Sequence, residues 1–160
     1  MARTQSYASK TGVAIGLSLD FDSLLNKIKK AGGDIEAATW NAARAGGRVY
    51  YNTLVEECRR SGVPVHLIDK IRFNCLRDAS GNRYAVVVGW YMDAYDPANP
   101  ADGYKVVFLN YGTPRRESSK GNRGYITGRG FIGRAKRKAQ RPIKQAQKDF
   151  LNKVLGDLMQ

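Results

Sequence analysis

The chain has 160 residues, a formal net charge of +13, 26% charged and 10% aromatic residues, and 17 glycines. That length suits one ordinary domain with a real core, and nine tyrosines argue against a disordered composition. Two cysteines and the absence of a long apolar run exclude a disulfide scaffold and a membrane-spanning helix.

Residues 1–12 are polar, lack the apolar core of a signal peptide, and read as a flexible arm. Val13 to Leu19 alternates apolar with small or polar side chains, the period of a half-buried strand. Asp20 or Asp22 is placed to cap a helix in which Phe21, Leu24, Leu25 and Ile28 recur at helical spacing, until Ala31-Gly32-Gly33 stops it. Asp34 reads as the N-cap of a longer helix running to about Arg60. Ile35, Ala38, Ala42, Ala45 and Val49 step along it by three and four. Its small-residue face, Ala42, Ala45 and Gly46, suits close packing either within the chain or against a neighbouring subunit.

Ser61-Gly62-Val63-Pro64 ends this helix, and Val65 to Ile71 fits one short helical turn. Ile71 to Arg77 alternates again, Ser80-Gly81-Asn82 reads as a hairpin turn, and Tyr84 to Tyr91 is a strongly apolar return strand. Asp93 to Gly103 has the composition of a surface loop. Tyr104 to Tyr111, carrying Val106-Val107-Phe108-Leu109, is predicted to be the last strand, broken by Gly112-Thr113-Pro114. A Gly- and Arg-rich loop at 112–130 leads to a helix from Phe131. Pro142 predicts a kink or a new helix start near Arg141. Beyond it Phe150, Leu151, Val154, Leu155 and Leu158 form an apolar stripe that the sheet or another subunit must cover. Phe150, Val154 and Leu158 therefore join the candidate subunit contacts. The expected fold is α+β: an antiparallel sheet of about four strands packed against two N-terminal helices and a long C-terminal helix, all within residues 13–160.

The charge is unevenly spread. Residues 1–111 hold 14 Lys/Arg against 11 Asp/Glu, whereas residues 112–160 hold 13 against 3. The loop carries Arg115, Arg116, Lys120, Arg123 and Arg129. The helix continues with Arg134, Lys136, Arg137, Lys138, Arg141, Lys144 and Lys148. Such a run serves as a solvated face, as a contact with acidic rims of partner proteins, or as a sequence-independent grip on DNA phosphates. Gly121, Gly124, Gly128 and Gly130 with Arg123 and Arg129 have the flexibility to cradle a phosphate. Their spacing matches no nucleotide fingerprint, and a mobile loop that orders on assembly is the better reading.

Chemistry is sparse. His66 has only Asp69 nearby in sequence, too little for a metal site, and the catalytic motifs of hydrolases and nucleotide-binding enzymes do not occur. Glu56-Glu57, followed by Arg59-Arg60, reads as a solvated, charge-balanced helix face. Cys58 and Cys75 are expected to be reduced, in a soluble protein made in a reducing cytoplasm. A non-enzymatic protein without cofactor or metal is expected.

The order strand, two helices, hairpin, strand ending in Tyr111-Gly112-Thr113, then the helix FIGRAKRKA in which Phe131 is followed by Ala135, resembles a known family. Ser61-Gly62 with Leu67 adds to the likeness. The family is that of the small neck and tail-completion (head–tail joining) proteins of long-tailed double-stranded DNA bacteriophages. The resemblance spans roughly residues 13–158. It implies a structural virion subunit of a homo-oligomeric ring, commonly a hexamer, stacked between the head connector and the tail. Its partners would be head-completion or connector proteins, tail-tube or tail-terminator proteins, and the genome DNA in the channel. The alternative from another class is a free-standing, sequence-independent nucleic-acid-binding protein.

Overall fold

The computed structural model describes residues 12–17, 21–77, 84–90, 102–115, 117–118, 121–122 and 124–160. The elements in order are β1 (Val13–Gly16), α1 (Asp22–Lys30), α2 (Ile35–Arg60), α3 (Val65–Ile68), β2 (Arg72–Arg77), β3 (Tyr84–Gly89), α4 (Asp102–Tyr111), β4 (Glu117–Ser118), β5 (Gly121–Asn122) and α5 (Phe131–Leu158). The fold is α+β, with a three-stranded antiparallel sheet and a long C-terminal helix. Residues 1–11, the Ser80–Asn82 turn and most of the Asp93–Gly103 loop lie outside the described residues.

The sheet order is β1-β3-β2, so the apolar strand β3 is central. Val13 faces Val88 and Ile15 faces Val86 on one side; Phe73 faces Val88 and Cys75 faces Val86 on the other. These directly opposed pairs put one set of side chains on the face that meets α2. There Val86 and Val88 are fully buried in the main core.

α2 runs for 26 residues and starts as its sequence predicts, with the Asp34 carboxylate accepting from the Ala37 N–H at 3.1 Å. It ends in a Schellman turn: Gly62, at φ +65°, donates to the Arg59 carbonyl and Val63 donates to the Cys58 carbonyl. The start of α1 differs from expectation. Its N-cap is Phe21 without a side-chain capping bond, Asp22 lies in the first turn, where its charge favours the helix dipole, and Asp20 lies outside the described residues.

Gly46 and Gly47 in the middle of α2 have a packing reason. A Cβ on Gly46 would come within 2.8 Å of the Gln147 amide and 3.0 Å of Ile143, both on α5. A Cβ on Gly47 would come within 2.5 Å of Val86 on the central strand. The two adjacent glycines thus let α5 and the sheet approach α2 from different sides. Gln147, itself buried, donates to the Gly16 carbonyl at 3.0 Å and so ties α5 to the end of β1.

α5 is one helix of 28 residues with Pro142 inside it; of the kink or new start expected near Arg141, the new start does not occur. Pro142 is exposed, so the Lys138 carbonyl that it leaves without a helical partner has access to water. The stripe beyond it meets α1 and α2 of the same chain and not the sheet. Leu151 is fully buried in a second core with Phe21 and Ile28 around α1 and with Ala38 and Ala42 of α2, and Phe150, Val154 and Leu155 pack against it. Leu158 is part-exposed and reaches Gly33.

The largest correction concerns Tyr104–Tyr111, which forms helix α4 and not a fourth strand. Gly103, Val106 and Asn110, spaced by three and four, are buried. Tyr104, Phe108 and Tyr111, at i, i+4 and i+7, are exposed on another face. Strand propensity was overridden by a tertiary need: Asn110 must reach the start of α5, as described next.

Candidate functional site

The 112–130 loop leaves and returns through one tightly bonded root. Gly112 caps α4 at φ +83°, its N–H donating to the Phe108 carbonyl at 2.8 Å. The returning arm crosses directly over it. A Cβ on Gly112 would lie 2.7 Å from the Ile126 carbonyl, and a Cβ on Gly128 would lie 2.6 Å from the Tyr111 backbone, so side chains are barred from both positions. Thr113 donates its N–H to the Ile126 carbonyl at 2.9 Å, and its hydroxyl accepts the Ile126 N–H at 3.0 Å. Arg129 and Gly130 donate their N–H groups to the Leu109 and Asn110 carbonyls, both at 2.9 Å.

Asn110 then closes the junction. Its Oδ1 accepts the Ile132 N–H at 2.9 Å, capping α5 from another helix, because the N-cap residue Gly130 has no side chain to do so. The side chain is buried, as a cap shielded from water must be. Between the two strands of the root, β4 and β5 make a minimal antiparallel pair, Glu117 opposite Asn122 and Ser118 opposite Gly121.

A second cluster holds the same junction to the end of α2. The Arg129 guanidinium donates to the Ser61 and Gly62 carbonyls at 2.9 and 2.8 Å, placing a cation at the negative end of that helix. Arg134 donates to Glu57 Oε2 at 3.0 Å and to Ser61 Oγ at 2.6 Å, and Lys138 donates to Glu57 Oε1. Glu57 is only 1% exposed. Hydrogen bonds from Lys138 and then Arg134 hold its carboxyl below the usual carboxylate range, against the upward push of burial. The sequence had placed Glu57 on a solvated face with Glu56. Only Glu56 is there, paired with Arg60 at 3.3 Å. Neighbouring Cys58 is buried, and burial followed by the Glu57 charge pushes its thiol up to about 12.

The sequence-predicted basic residues therefore divide. Arg129, Arg134 and Lys138 are engaged inside the chain, and Gly128 is committed to the crossing. Arg115, Lys136, Arg137, Arg141 and Lys148 are exposed. Arg116, Lys120 and Arg123 lie outside the described residues. Of the subunit-contact candidates, Ala42 and Gly46 are buried against the chain's own helices and Ala45 is half-buried beside them.

What the sequence reading missed is the aromatic face of α4. Tyr104, Phe108 and Tyr111 are exposed along it, and Tyr125 and Ile126 are exposed beside the root. Their helical spacing was the available signal, masked by the strand-like composition of the segment. Next to this face a cavity of about 590 Å³ opens between β1, the end of α4 and the first turns of α5, lined by residues including Ala14, Tyr111, Gly133, Lys136 and Arg137.

His66 is exposed, and among the described residues no group of three or more His, Cys, Asp or Glu is placed to hold a metal ion. No helix among them is long and apolar enough to cross a membrane. Comparison of the chain with protein families, with curated proteins and with solved structures finds no match.

Proposed function

We propose that the protein is a non-enzymatic structural subunit that assembles into a ring, joining head and tail in a double-stranded DNA phage. The observation that carries this reading is the exposed aromatic face of α4, Tyr104, Phe108 and Tyr111, continued by Tyr125 and Ile126. A chain with this much charge gains nothing from leaving five large apolar side chains in water unless another molecule covers them. In a ring every contact is heterologous, so such a face meets a different surface of the next copy and closes by rotation. The stapled root supports the same reading, since it would present the cationic loop 112–130 to an adjacent ring from a fixed base. The family resemblance implies the neighbours of such a ring: connector or head-completion proteins on one side, tail-tube or terminator proteins on the other, and genome DNA in the channel.

Native mass spectrometry of the purified chain, alone and mixed with neighbouring virion proteins, tests assembly. Rings are expected from the intact chain, and monomers from a Tyr104→Ser, Tyr111→Ser variant that keeps its circular dichroism. An intact chain that stays monomeric under every condition, or virions whose neck lacks any copy by cryo-electron microscopy, would refute the proposal.

A second reading, sequence-independent nucleic-acid binding by the free chain, is favoured by the exposed Lys136, Arg137, Arg141 and Lys148 of α5. It requires tight binding by the monomer with a steep dependence on salt, roughly 0.9 log units of affinity per log unit of salt for each phosphate neutralised.

A further inference from the structure

We infer that a groove between α2 and the edge strand β2 is a docking site for an acidic segment of a protein partner. The groove, of about 350 Å³, is lined by Arg44, Arg48, Tyr51, Asn52 and Phe73. It lies apart from the loop root and from α5, and the assignment is independent of ring assembly.

Arg44 and Arg48 stand at i and i+4 on one helix, so both guanidinium groups reach the same concavity. Arg44 is half-buried. Two like charges at this spacing repel, and a chain normally relieves that with a carboxylate nearby. Here the acids of the same helix lie elsewhere: Glu36 is in the first turn, eight residues before Arg44, Glu56 pairs with Arg60, and Glu57 pairs with Arg134 and Lys138. Among the described residues neither guanidinium has an acidic partner. A carboxylate brought by another molecule would accept from both forks and convert the repulsion into charge-assisted hydrogen bonds.

The rest of the lining fits a side chain or short segment of protein. Tyr51 and Phe73 meet edge to face with centroids 6.5 Å apart, forming an aromatic wall beside the cations, and Asn52 offers an amide for backbone groups. Arg, Tyr and Phe in one small concavity is the composition of an interface anchor site. Phe73 comes from β2, an edge strand of the sheet. A single-stranded nucleic acid would ask for more: a cationic track following several phosphates. Among the described residues the groove is lined by two cations, which suits a discrete carboxylate.

The test uses the full chain and fluorescein-labelled hexaglutamate, with labelled oligothymidylate and hexalysine as comparators, in fluorescence anisotropy at fixed salt. Hexaglutamate is expected to bind the intact chain, and Arg44→Gln with Arg48→Gln to weaken it at least about tenfold, as loss of a charge-assisted pair should. Arg141→Gln with Lys148→Gln, an equal loss of charge on α5, should weaken it less than about twofold, the part due to screened long-range attraction. The Arg44/Arg48 variant should melt no lower than the intact chain, because it removes a repelling pair. Equal losses in the two variants would make the binding diffuse and overturn the assignment. It is likewise overturned if the intact chain ignores hexaglutamate, if the Arg44/Arg48 variant loses oligothymidylate while keeping hexaglutamate, or if that variant melts lower.

Discussion

Replacing Glu57 with Gln should detach the start of α5 from the end of α2 in a way that depends on pH. The carboxylate accepts two charge-assisted hydrogen bonds, from Arg134 and Lys138, with Arg60 at 3.7 Å as a third, looser neighbour. Each such bond contributes about 1.5–3 kcal/mol when fully enclosed. Arg134 and Lys138 are 39% and 47% exposed, so their cationic ends regain water in the variant and the loss is reduced. A net cost of about 2 kcal/mol at pH 7 follows, or about 4–8 °C in Tm for a chain of this size. The sign with pH is fixed by the folded carboxyl lying below its ordinary value of 4.5. A depressed carboxyl contributes its full stability above pH 4.5 and loses it as the pH falls through the lower folded value. Urea unfolding followed by circular dichroism, at pH 7 and then stepwise into acid, should show the gap between wild type and Glu57→Gln closing below pH 4.5. A gap under roughly 0.5 kcal/mol at pH 7, the range of ordinary surface changes, or one that persists unchanged in acid, would refute the clamp.

Two glycines should respond to alanine with opposite signs. Gly47→Ala forces a methyl to within 2.5 Å of Val86, and overpacking of about 1–3 kcal/mol should exceed the helix-propensity gain of about 1 kcal/mol. Gly133→Ala meets only the Arg137 guanidinium at 3.9 Å and should stabilise by about 0.5–1 kcal/mol; denaturant midpoints check both. Asn110→Ala removes a buried cap and should cost about 1–3 kcal/mol, with faster amide exchange at Ile132 than at residues in the middle of α5. A thiol reagent at pH 8 should modify half-buried Cys75 well before Cys58, whose thiol is held protonated by its raised value of about 12, and equal rates would contradict that burial.

The parts of the fold legible in the sequence were those in which local signals and tertiary packing agree. α2 carried its cap at Asp34, its stop at Ser61-Gly62 and its small-residue face between them, and all three appear in the structure. The β2–β3 pair was readable from alternation and an apolar return strand. Two failures share one cause. Tyr104–Tyr111 has the β-branched and aromatic content of a strand, yet it is helical, and its buried Asn110 caps the distant helix that starts at Phe131. Glu57 sits among charges that look solvent-facing, yet its partners come from α5, 77 and 81 residues on. Contacts at that separation leave no mark on local periodicity. The basic cluster was visible as charge, but which cations serve the interior depends on where the end of α2 meets the start of α5.

The bare crossing of Gly112 and Gly128 has a mechanical corollary. With no side chain between the two backbones and hydrogen bonds on either side, the root cannot act as a swivel. A pull on either arm at this root is shared between α4 and α5.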